Sequence, residues 1–89
     1  MYDFRWIEWN IAKCEKHGVN PVDVEFVVQN AQRPHPIRIE QGKRLVWGQS
    51  ESGEYLQVIY ILDDDYTVFV IHAMPLTEKQ KRQHRRRQR

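Results

Sequence analysis

Val24, Val27, Val28 and Ala31 fall at i, i+3, i+4 and i+7, the spacing that lays a single apolar stripe along a helix and demands a surface to bury it. Asn20 supplies a cap for that helix, Pro21 occupies the first turn where its missing N–H costs nothing, and Asp23 follows in the same turn. Arg33-Pro34-His35-Pro36 stops it near Gln32, because each proline disfavours helical geometry in the residue before it. That reading leaves His35 in a loop. Upstream, Phe4 and Trp6 alternate as a strand does, whereas Ile7, Ile11 and Cys14 keep helical spacing. A short strand running into a helix over 10–17 satisfies both patterns. Asn10 caps this helix, Lys16 and His17 suit the negative end of its dipole, and Gly18 terminates it.

From Ile37 the period changes to that of strands, with runs at 37–40, 43–49, 55–62 and 67–73. Gly42 separates the first two, 50–54 forms a hairpin loop and Asp63-Asp64-Asp65 another. Links this short predict an antiparallel meander. The last two runs are apolar on both faces, so they are central, with the two helices over one face and some cover needed on the other. Pro75 closes the final strand. Thr77 and Gln80 then match a capping box opening a helix to about Gln88. That helix is polar on every side, so it is either a frayed, solvated tail or a phosphate-binding element.

Eighty-nine residues, 40% hydrophobic and 29% charged, make one small domain rather than a disordered or fibrous chain. No apolar run approaches the roughly 18 residues needed to cross a bilayer. The expectation is a soluble, cytoplasmic protein without a membrane partner. One cysteine, Cys14, makes no internal disulfide and reads as a small apolar residue of the first helix. Charge divides the chain unevenly. Residues 1–77 carry seven Lys/Arg against eleven Asp/Glu, while 78–89 carry seven Lys/Arg against Glu78 alone. A compact body at 1–77 thus bears a cationic terminal element at 78–89 suited to a polyanion or an acidic partner.

Cys14 and His17 are too few ligands for zinc, so neither a metal nor a cofactor is expected. Trp6, Trp9, Trp47, Tyr55, Tyr60 and Tyr66 read first as core, and only an aromatic beside the basic helix would favour base stacking. An anionic membrane is disfavoured because an interfacial helix needs an apolar face.

One segment holds Trp6, Trp9, Asn10 and Lys16-His17-Gly18-Val19-Asn20-Pro21 before Val24-Glu25; a second holds the 48–58 hairpin, Val70-Ile71-His72-Ala73 and the Thr77-led basic helix. In this order and spacing the two together resemble the BrnT-like toxin family of small bacterial ribonucleases. The resemblance covers roughly 6–87. It implies a RelE-like α+β fold: a short N-terminal strand, two helices on one face of an antiparallel sheet of about four strands, and a basic C-terminal helix. It also implies an RNA substrate and an antitoxin partner. Where members carry Arg, Glu and Tyr, this chain has Met74, Gln80 and His84.

Metal-independent cleavage of RNA needs a group to take the 2′-hydroxyl proton, one to protonate the leaving oxygen, and cations for the developing charge. His72 and His84 are the candidate proton carriers. Lys43, Arg44, Lys79, Lys81, Arg82, Arg85 and Arg86 are the candidate RNA-binding cations. His17 reads first as a dipole partner and second as a site residue. The expected function is therefore a toxin-like ribonuclease. A non-catalytic protein binding RNA or an acidic partner on the same fold is the alternative, and a homo-oligomer with an incidental tail a third.

Overall fold

The computed structural model describes residues 1–87. Its elements are α1 (Glu8–Lys16), α2 (Pro21–Gln29), β1 (Ile37–Arg38), β2 (Arg44–Gln49), β3 (Tyr55–Leu62), β4 (Val68–Pro75) and α3 (Glu78–Arg87). Gln88, the expected end of the last helix, and Arg89, the end of the basic segment, lie outside the described residues. The strands form one antiparallel sheet in the order β1-β2-β3-β4, the meander that the short links require. The architecture is α+β. No helix among the described residues is long and apolar enough to cross a membrane.

Alternation sorts the sheet into two faces. Val46, Leu56, Val58, Tyr60, Val68, Val70 and Ala73 are buried on the inner face beneath Val24, Val27 and Val28 of α2 and Cys14 of α1. The stripe read from the α2 spacing is thus the stripe that is buried, Ala31 at its end being half-buried. Gly48 permits the close approach of α2 to β2, since a Cβ there would meet Val27 Cγ1 at 3.0 Å.

Several boundaries differ from the sequence reading. The strand expected over 37–40 ends at Arg38, because Glu40–Gly42 form a single 3-10 turn with Gln41 at positive φ. The N-terminal strand reduces to one parallel bridge, Phe4 to Val68, held by Arg5 N–H to the Val68 carbonyl and Val68 N–H to the Asp3 carbonyl. The chain then turns at once into α1. That helix starts at Glu8, and Asn10 sits inside its first turn rather than capping it. Its carboxamide, fully buried, accepts from Ile7 N–H at 2.7 Å and donates to the Arg5 carbonyl at 3.0 Å. α2 stops at Gln29, before the prolines act, because Asn30 caps it with both its backbone N–H and its carboxamide on the Phe26 carbonyl. Asn20, by contrast, caps α2 as expected, accepting from Val22 N–H.

A register shift between Ile59 and Tyr60 leaves one residue of β4, Ile71, without a partner. Val70 opposite Tyr60 lies on the inner face, and regular alternation would put His72 there too. The bulge reverses this, so His72 stands opposite Ile59 on the outer face.

Candidate nucleic-acid interface

The outer face meets α3 at one end. Thr77 and Gln80 close the expected capping box reciprocally: Gln80 N–H donates to Thr77 Oγ1 at 3.1 Å and Thr77 N–H to Gln80 Oε1 at 2.9 Å. The helix is all but polar, yet it is docked. His84 is only 6% exposed, its ring lying 5.9 Å from Tyr55, 6.4 Å from Trp47 and 5.9 Å from His35. One imidazole on an arginine-rich helix thus replaces the missing apolar stripe. His35, read as a loop residue, does lie in the loop between α2 and β1 but is equally buried, and its ring also lies 6.1 Å from Trp47. Continuing the β1–β2 register from Ile37 opposite Leu45 puts His35 opposite Trp47. The two prolines flanking it gave no sign of this.

Among the described residues, His35 Nδ1 and Nε2 and His84 Nδ1 of this cluster are buried without hydrogen-bond partners. Burial holds both imidazoles below the usual histidine range, aided for His35 by His84 and for His84 by the Arg87 guanidinium.

With His84 turned inward, Lys79, Arg82, Arg85, Arg86 and Arg87 are exposed. Lys81 is half-buried and pairs with Glu78 at 3.3 Å. Arg85 lies 5.5 Å over the Tyr55 ring and Arg87 5.8 Å over Trp47, a position favoured by the ring quadrupole. Both aromatics are half-buried beside the basic helix. Between α2 and α3 opens a cleft of about 490 Å³ lined by Phe26, Asn30, Gln32, Trp47, Gly48, Gln49, Tyr55, His84 and Arg85.

The other cations group differently. Lys43 and Arg44 sit with Arg38 around a shallow depression at the far end of β2, Arg44 directly opposite Arg38. Trp47 is three residues along the strand, roughly 10 Å away at strand spacing.

The two candidate proton carriers are not brought together. His84 belongs to the Trp47 cluster, whereas His72 is two strands and one row from Trp47, a separation of roughly 12 Å. His72 instead faces His17 at the end of α1, ring centroids 5.6 Å apart. Burial, with charge on His17 and Lys13 adding to it, lowers the His72 pKa from the usual histidine value. Lys13 precedes His17 by one helical turn, on the same side of α1. Among the described residues no three His, Cys, Asp or Glu side chains gather as metal ligands would.

No family model, no curated protein and no solved structure matches the chain.

Proposed function

We propose that this protein binds RNA through the exposed cationic side of α3. The observation that carries this reading is the orientation of the helix: its one aromatic side chain is buried on the sheet, and Lys79, Arg82, Arg85, Arg86 and Arg87 are left to solvent. A row of cations on a docked helix neutralises phosphates without paying to order a free tail. The BrnT-like resemblance favours RNA over DNA, and it adds the antitoxin partner. Titration of labelled single-stranded RNA at rising salt tests the reading. Micromolar binding that weakens steeply with salt supports it, and no association at low ionic strength removes it.

The His17–His72 pair favours a second, catalytic reading, that of a ribonuclease toxin. In it His72 replaces the His72–His84 pairing expected from the sequence with His17 as its partner. The His72 imidazole, kept neutral by its surroundings, takes the 2′-hydroxyl proton as the 2′-oxygen bonds to phosphorus. The bond from phosphorus to the 5′-oxygen breaks, and that oxygen takes its proton from the His17 ring. A 2′,3′-cyclic phosphate and a 5′-hydroxyl result, and proton exchange with solvent restores both rings. Lys13 offsets the charge that develops on phosphorus. Incubation of RNA with the protein in chelator, followed by identification of the new termini, tests this step: intact RNA leaves binding alone.

A further inference from the structure

We propose that the cleft between α2 and α3 receives one unstacked nucleobase bearing an exocyclic amino group, from the strand whose phosphates α3 holds. The proposal rests on the RNA-binding reading and names what that site selects.

Size and walls come first. A cleft of about 490 Å³ falls within the roughly 300–1,000 Å³ range of small-ligand pockets and has room for a flat heterocycle. Trp47 and Tyr55 line it, with Arg85 over the Tyr55 ring at the same cleft. A base inserted there would leave its own phosphate next to the guanidinium, so that stacking and charge are met together.

The polar groups then set which base fits. Asn30 spends its Nδ2 on the Phe26 carbonyl at 2.8 Å, and Gln49 spends its Nε2 on the Gly53 carbonyl at 3.0 Å. A carbonyl partner requires the amide nitrogen in each case, so both orientations are fixed. What each presents is an oxygen, Asn30 Oδ1 and Gln49 Oε1, neither of which accepts a hydrogen bond among the described residues. Two acceptors at one cleft are matched by the two N–H groups of an exocyclic amino group, which adenine, cytosine and guanine carry, whereas uracil offers only its single N3–H. The Gln32 side chain lines the cleft with its donor and acceptor both free. His84, 6% exposed, lines it as well.

The test compares short oligo-A, oligo-U and an abasic ribose-phosphate oligomer of equal length, by fluorescence anisotropy on the intact protein. Oligo-A is expected to bind about tenfold more tightly than the abasic strand, with oligo-U well below oligo-A. Gln32→Ala and Gln49→Leu, both at exposed positions outside α3, should each narrow the gap without weakening abasic binding. Equal affinity for oligo-A and the abasic strand overturns the base pocket while leaving the α3 grip intact. Equal affinity for oligo-A and oligo-U overturns the amino-group selection, and a gap untouched by both variants places base reading elsewhere and overturns the pocket. Failure of all three strands to bind overturns the RNA-binding reading and the pocket with it.

Discussion

The imidazoles of His35 and His84 lie 5.9 Å apart between centroids, and three of their four ring nitrogens are buried without a partner among the described residues. Both rings are held neutral chiefly by burial. Their pKa values lie lower in the folded than in the unfolded chain, so over the interval between the two the unfolded chain binds more protons. Stability therefore rises with pH through that interval. The contribution is fully present above the unfolded value of about 6.5 and is lost as pH falls through the folded values. Arg87, near the cluster, adds repulsion to either protonated ring. Urea midpoints taken from neutral to mildly acidic pH should fall for the wild type and flatten for a His35→Gln, His84→Gln double variant. An equal slope in both would refute this assignment.

His84 is the anchor of α3, and the arginines around it are not. His84→Ala removes the ring that fills the gap between Tyr55, Trp47 and His35, and should cost about 2 kcal/mol of stability. RNA affinity should fall with it, because an undocked helix must be ordered on binding. Arg82→Gln, at an exposed position, should leave stability within about 0.5 kcal/mol and weaken RNA binding alone. Denaturation and binding measured on the same two proteins separate anchor from grip.

Much of this arrangement was legible in the chain, and what was not has identifiable causes. The α2 stripe, the Asn20 cap, the Thr77–Gln80 box and the four strands follow from local periodicity and capping chemistry, and each is present. The docking of α3 was hidden because a histidine counts as polar, although its ring buries like an aromatic when its nitrogens are desolvated. The place of His72 was hidden because 68–73 is almost wholly apolar, so no alternation marked the bulge at Ile71 that turns it outward. Partners distant in sequence, His17 with His72 and His35 with His84, carry no local signal at all.

Phosphate neutralisation has a countable signature. For single strands the slope of log affinity against log salt falls by about 0.7 for each contact removed. Arg82→Gln and Arg86→Gln, both exposed on α3, should each reduce it by about that amount, and the double variant by about twice as much. Lys43→Gln, at the far end of β2, should change the slope less. A slope as sensitive to Lys43 as to Arg86 would widen the interface to the whole β2 edge.

The His72 side chain is half-buried and makes no hydrogen bond among the described residues, so removing it costs the fold little. If the His17–His72 pair moves protons, His72→Ala and His17→Ala should each slow chelator-resistant RNA cleavage by about 100-fold or more. His84→Gln should leave that chemistry in place once RNA is saturating. Gel-based rates on the three variants rank the histidines, and unchanged cleavage by His72→Ala would exclude it from the reaction.

Gly48 sets the distance between α2 and the sheet, and hence the width of the cleft it lines. Replacing glycine by alanine in a strand usually gains about 0.4–1 kcal/mol through the unfolded chain. Here the new Cβ would sit 3.0 Å from Val27 Cγ1, and Val27 is itself locked in the core at 2% exposure. Overpacking at such a site costs about 1–3 kcal/mol, which outweighs the gain, so Gly48→Ala should be destabilising by about 1 kcal/mol. Val27→Ala removes the obstructing methyls. A double-mutant cycle should therefore show the two changes to be less costly together than the sum of each alone, with a coupling of about 1 kcal/mol. Additive costs in urea denaturation would mean that α2 yields to the extra methyl by shifting as a unit rather than meeting it through Val27.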